Sequence, residues 1–181
     1  HFRCREYLWY GESILLVEVA PFGHSVSSPL NWVLCGYRTM NEQQPPDGFV
    51  VDGSDLEHGK AESWYQLVGP LYHDGYNTPG NVRLAFYAER RYISSMNRVH
   101  GGKMSSFMDY LLFGTARSAW DGAALATVSL NINFISACPP DVWVIGYGSI
   151  VRAGKNMAFT TGEARVGEKV IVQATGTFRK L

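Results

Sequence analysis

Gly101-Gly102-Lys103-Met104-Ser105-Ser106-Phe107-Met108-Asp109-Tyr110-Leu111-Leu112-Phe113-Gly114-Thr115-Ala116-Arg117-Ser118-Ala119 (residues 101–119) is the one long helix candidate in the chain. Met104, Phe107, Met108, Leu111 and Leu112 recur at three- and four-residue steps and line one broad apolar stripe, which Thr115 continues with a smaller side chain. On both sides of this stretch the period changes to two. Upstream, Val82, Leu84, Phe86 and Ala88 alternate with Arg83, Ala85, Tyr87 and Glu89. Downstream, Val128, Leu130, Ile132 and Phe134 alternate with Ser129, Asn131 and Asn133, which predicts a strand with the apolar set inward.

Pro139-Pro140-Asp141 then turns the chain, and Val142–Val151, Met157–Arg165 and Lys169–Phe178 are rich in β formers. Val166-Gly167-Glu168 is short enough to make the last two a hairpin. Strand, long helix, then about four consecutive strands is the order of an α+β domain, one helix packed on a mostly antiparallel sheet.

The preceding residues are less regular. Ser54 and Glu57 have capping-box spacing, and a short helix is expected through Trp64 and Leu67 until Gly69-Pro70 stops it. His73-Asp74-Gly75 and Asn77-Thr78-Pro79-Gly80 are turn chemistry. The first forty residues show apolar clusters without a sustained helical or strand period. Met40 heads a polar, proline-containing stretch that resembles the ordinary start of a protein. The expected organisation is an extension over residues 1–39 with Met40 as the natural initiator, a linker over 40–53, and the domain over 54–181.

Sixteen basic and sixteen acidic residues in 181 cancel, so no global field draws nucleic acid or an anionic membrane to the chain. No run approaches the ~20 apolar residues of a membrane-spanning helix. Cys4, Cys35 and Cys138 form no CxxC pair or zinc spacing, and no Asn-x-Ser/Thr acceptor occurs. These observations predict reduced thiols in a soluble, cytoplasmic protein.

The chemistry concentrates at residues 97–109, Asn97-Arg98-Val99-His100-Gly101-Gly102 followed by the helix and its lone carboxylate, Asp109. Glycines let a ligand approach the main chain closely, and the free N–H groups of a helix's first turn lie beside them. A positive helix end can polarise a carbonyl, and a carboxylate about two turns further along can act as base or nucleophile. Other motifs carry less. Gly146-Tyr147-Gly148 lacks the third glycine of a dinucleotide fingerprint and reads as a strand with close-packing glycines. Gly154-Lys155 has Ser149 where a phosphate loop needs its first glycine. His24, His58 and His73 show no metal-ligand spacing, so no metal is assigned.

Asn97 through Asp109, with Thr127-Val128-Ser129-Leu130-Asn131 and Gly154-Lys155-Asn156-Met157-Ala158-Phe159, resembles the hotdog-fold acyl-CoA thioesterases of the phenylacetate-degradation (PaaI-like) type. The resemblance covers roughly residues 46–181. It implies a sheet curled around one central helix, paired into a dimer or a dimer of dimers with active sites at the subunit interface. It further implies Asp109 as the attacking carboxylate or base and a backbone N–H at Gly101 or Gly102 as the donor to the thioester oxygen. His100 would position the glycine turn, Ser129 would help hold the attacking water, and Lys155 and Asn156 would lie along the coenzyme A arm. No separate cofactor is implied, coenzyme A being part of the substrate. Many relatives have an asparagine and a glycine where this chain has Ser94 and Asn97. Ser94 keeps a hydroxyl with shorter reach, and Asn97 accepts the left-handed conformation that glycine favours.

Several readings stay open at this level. Met104, Phe107 and Met108 are either core or the lining of an acyl slot. Arg90, Arg91, Lys103, Arg152 and Lys155 are either solvated surface or contacts to coenzyme A phosphates. The rival to hydrolysis is non-catalytic acyl-CoA binding. A hotdog hydratase fits less well, because no histidine follows Asp109 in its segment.

Overall fold

The computed structural model describes residues 4–10, 13–19, 44–51, 64–74 and 79–181. It divides into two units, 1–44 and 45–181. In the first, β1 (Cys4–Tyr10) and β2 (Ser13–Val19) pair antiparallel, with Cys4 opposite Val19 and Tyr10 opposite Ser13. The sequence shows no strand period here, yet Tyr7, Trp9, Tyr10, Ile14, Val17 and Val19 are β formers. Intrinsic preference marks these strands where alternation does not. Expectations that rest on His24, Cys35, Met40, Ser54, Glu57, His58, Gly75, Asn77 and Thr78 lie outside the described residues.

The second unit starts before the expected boundary. Phe49 is buried, and β3 (Val50–Val51) pairs with β4 (Tyr72–His73), so the end of the stretch expected to be a linker edges the sheet. Helix α1 (Trp64–Val68) runs to Gly69, as the Gly-Pro stop predicts. β5 (Asn81–Tyr87) leads through a 3-10 turn (Arg90–Tyr92) into α2 (Gly101–Arg117). β6 (Leu125–Phe134), β7 (Trp143–Ala153), β8 (Met157–Val166) and β9 (Lys169–Lys180) follow. The seven strands lie in the order β3-β4-β5-β7-β8-β9-β6, each pair antiparallel. Gly167, with φ +55°, opens the two-residue turn that joins β8 to β9. Among the described residues no helix is long and apolar enough to cross a membrane.

The sheet wraps the apolar stripe of α2. Met104, Phe107, Met108, Leu111, Leu112 and Ala116 are buried against Val82, Leu84 and Phe86 of β5 and against Val144, Ala158, Ala164, Val172 and Phe178 of the later strands. Met104, Phe107 and Met108 are therefore core, and of the three only Met104 also reaches the wall of a cleft, the one beside Gly101. The helix fits because the strands beneath it are glycine-bearing. A Cβ on Gly146 would stand 2.8 Å from Leu111 Cδ2 and 2.9 Å from Phe107, and one on Gly148 would collide with Thr115 Oγ1. These are the close-packing glycines that the Gly-Tyr-Gly pattern predicts. Gly148→Val should therefore destabilise the unit by about 3 kcal/mol, the upper range for overpacking. That lowers Tm by roughly 10 °C for a domain of this size, which calorimetry would read. An unchanged Tm would mean that the helix does not rest on this strand.

Lys103 is the exception on the buried side of α2. It is 6% exposed, its Nζ donates to Val68 O at the end of α1, and it lies 4.2 Å from the Phe86 ring centroid and 4.4 Å from that of Tyr92. Burial, and then Arg91, lower its pKa to about 7. Lys103 is thus an internal strut for α1 and is not available to a phosphate.

Candidate active site

The approach to α2 is a tight loop held at both ends. Ser94 directs both its N–H and its hydroxyl at Arg98 O, at 2.8 and 3.0 Å, and Asn97 N–H donates to Ser94 O at 3.0 Å. Asn97 closes the loop with φ +55°, the left-handed conformation expected of it. Val99 N–H then bonds Cys138 O, and His100 N–H bonds Tyr92 O. His100 is delivered as the N-cap of α2, its Nδ1 accepting from Gly102 N–H at 2.9 Å. This cap consumes the Gly102 donor. Among the described residues Gly101 N–H has no partner, so the donor at this helix end is Gly101 alone. Beside it opens a cleft of about 350 Å³, lined by Ser94, Met96, Val99, Gly101, Phe134 and Ile135 among others.

Asp109 lies midway along α2, half-buried, with its Oδ1 accepting from Thr127 Oγ1 at 3.1 Å. Burial raises its pKa above the ordinary aspartate value, and the Thr127 hydroxyl opposes part of that rise. The partner is Thr127, where the sequence reading expects Ser129. The cause is a β-bulge between Thr127 and Ser129. Leu125 and Thr127 face the helix, but past the bulge Leu130 and Ile132 do, and Ser129 is exposed on the other face. Val128 and Phe134, expected inward, are each 57% exposed. If Thr127 serves Asp109, Thr127→Val removes a bond that favours the carboxylate. The acid limb of the pH–rate profile then moves to higher pH, whereas Ser129→Ala leaves that limb in place. Equal shifts in both variants would refute the assignment.

Lys155 and Asn156 are exposed in the β7–β8 turn. Trp120 Nε1 donates to Gly154 O at 3.1 Å and Lys180 N–H to Asn156 O at 3.0 Å, which fixes this turn at the C-terminal end of α2. Arg90 is paired with Asp141 at 2.6 Å, and Arg91 with Glu89 at 3.1 Å. The expected site residues thus form three groups in one chain. Ser94, Asn97, His100, Gly101 and Gly102 gather at the start of α2, Asp109 with Thr127 at its middle, and Lys155 with Asn156 past its end.

Residues 96–174, which take in all of these residues except Ser94, match the family model of the thioesterase superfamily. Solved structures share the architecture. Zebra fish thioesterase superfamily member 2 is 17% identical, covering 69% of this chain and 91% of its own, with a TM-score of 0.63. A mutant of the phenylacetic acid degradation protein PaaI from Thermus thermophilus is 16% identical, covering 66% and 100%, at 0.60. A hypothetical thioesterase from Streptococcus pneumoniae, crystallised with coenzyme A, is 18% identical, covering 61% and 87%, at 0.56. The match takes in the helix and the strands that follow it, and the fold that this chain shares with these solved structures is the hotdog fold, an antiparallel sheet wrapped around one long helix.

Proposed function

We propose that the protein hydrolyses an acyl-CoA thioester to the free acid and coenzyme A, working as a dimer in the cytoplasm. The observation that carries this reading is a separation. Gly101 and Asp109 are eight residues apart on one helix, about 12 Å along its axis. A thioester carbonyl with the attacking water between it and the base spans about 10 Å from carboxylate to oxyanion donor. That is less than the separation along one helix, which supports a site completed by a second copy. Among the described residues the ten-residue β6 is an edge strand with unpaired backbone on one side, which suits it to pair with its counterpart. The match of residues 96–174 to the thioesterase superfamily and the coenzyme A crystallised with the similar pneumococcal structure support the substrate class.

In this scheme Asp109 takes a proton from water as the water oxygen bonds to the thioester carbon. The carbonyl electron pair moves onto oxygen, where the partner copy's Gly101 N–H and helix end stabilise it more than they stabilise the ground state. Collapse restores the C=O bond and breaks the C–S bond. The departing thiolate recovers the proton from Asp109. Direct attack by the carboxylate would use the same groups and pass through an anhydride that water opens. The mainly apolar cleft beside Gly101 suits the acyl group.

Complementation tests the composite site. Asp109→Asn and Gly101→Pro are each inactive as homodimers. Mixed and re-equilibrated, half the dimers are hybrids with one intact site, which returns roughly a quarter of wild-type activity. No recovery in verified hybrid dimers would refute a site built from two chains. Acyl-CoA binding without thiol release by the wild type would favour the non-catalytic alternative.

A further inference from the structure

Of the five cations that sequence offers to coenzyme A phosphates, Lys103 is buried and Arg90 and Arg91 are ion-paired. Arg152 and Lys155 remain, and the fold gathers more charge around them. The β7–β8 register sets Arg152 directly opposite Phe159, past a second bulge between Ile150 and Arg152. The β8–β9 register sets Phe159 opposite Thr177, and β6–β9 sets Thr177 opposite Ser129. Ala158 and Thr160 on either side of Phe159 are buried, so Phe159 faces away from the helix and is 44% exposed. Arg152–Phe159–Thr177–Ser129 is therefore one row across the outer face of the sheet. Arg179 lies diagonal to Phe159, two residues beyond Thr177 and opposite Met157, while its neighbour Phe178 is fully buried. Arg152, Lys155, Arg179 and Lys180 are all exposed, and none has an ion-pair partner among the described residues.

An exposed ring flanked by two unpaired guanidiniums, with hydroxyls beyond it, has the chemistry of a phosphorylated nucleoside site. A base stacks on the ring, phosphates meet the arginines, and hydroxyls take the remaining oxygens. We propose that this outer-face row, with Arg179, holds the phosphorylated adenosine end of coenzyme A. The inference rests on the acyl-CoA reading above. The arm from there to Asp109 passes the β7–β8 turn, where Lys155 and Asn156 stand. Phe159 is three residues from Asn156, about 10 Å of strand.

The test compares one acyl group carried on coenzyme A and on pantetheine, which lacks the nucleotide. Phe159→Ala, and separately Arg152→Gln with Arg179→Gln, should raise KM for the acyl-CoA about tenfold and leave KM for the acyl-pantetheine where it was. Adenosine 3′,5′-bisphosphate should inhibit acyl-CoA hydrolysis competitively in the wild type and lose that effect in the variants. Unchanged KM values, or equal rises for both substrates, would overturn the proposal. Non-competitive inhibition would also overturn it, because it would make the row a separate site for free nucleotide. If the wild type releases no thiol from either substrate, the hydrolase reading fails first. Direct binding of the bisphosphate, weakened in the variants, would then still report on the row itself.

Discussion

Asp109→Asn should lower kcat for acyl-CoA hydrolysis by about 10³-fold, within the range for loss of a positioned general base. The amide is nearly isosteric, and its oxygen can still accept from the Thr127 hydroxyl at the position now held by Oδ1. The loss should therefore come without a change in Tm or oligomeric state. The pH profile sharpens the prediction. Burial raises the pKa of Asp109, and the working form is the carboxylate. Wild-type activity is thus present above that raised pKa and falls as pH drops through it. The limb should lie higher than an ordinary aspartate would place it, and the residual activity of Asp109→Asn should lack it. Thiol release at wild-type rate in the folded variant would end the mechanism.

Gly101→Pro should cost about 10²–10³-fold in kcat, the effect of deleting one oxyanion donor, with the fold retained. The substitution removes only the N–H in question. Gly101 is the first residue of α2, where proline is well accepted. His100 before it has φ −64° and ψ 139°, the extended conformation that a residue preceding proline adopts. A Cβ at Gly101 meets the Phe134 ring at an ordinary 3.5 Å. The His100–Gly102 cap does not involve the deleted group. Gly101→Ala keeps the N–H and should retain most of the activity. Equal losses in both variants would show that the site is sensitive to bulk at this position and would remove the N–H from the mechanism.

Those two residues were legible in the sequence because each belongs to a strong local pattern. Gly101 opens the longest helical period, and Asp109 is the carboxylate that interrupts its apolar stretch. The strand order was legible for the same reason, since alternation from Val82 to Ala88 and from Leu130 to Phe134 marks a sheet on either side of a helix. What escaped depends on tertiary position. Thr127 and Ser129 are two hydroxyl residues on one strand, and nothing in their spacing reveals the bulge that separates their faces. Lys103 sits at the edge of the helical stripe, where a charge reads as solvated. Its burial follows from α1 and Tyr92, which arrive from elsewhere in the chain. Gly102 looked equivalent to Gly101 until the His100 ring was seen to occupy its N–H.

The bulge in β6 works like a shift of reading frame. Val128 is the inserted letter, more than half exposed and without a strand-paired partner between Thr127 and Ser129. Removing it alone would leave Leu125, Thr127, Leu130 and Ile132 in strict alternation, all still facing the helix. Deleting Ser129 would restore the same alternation, whereas deleting Thr127 would restore it with Val128 in place of the hydroxyl that meets Asp109. The strand thus has one short stretch where its length can change without changing its meaning. There the bend that aims Thr127 can be varied independently of the packing that holds the sheet.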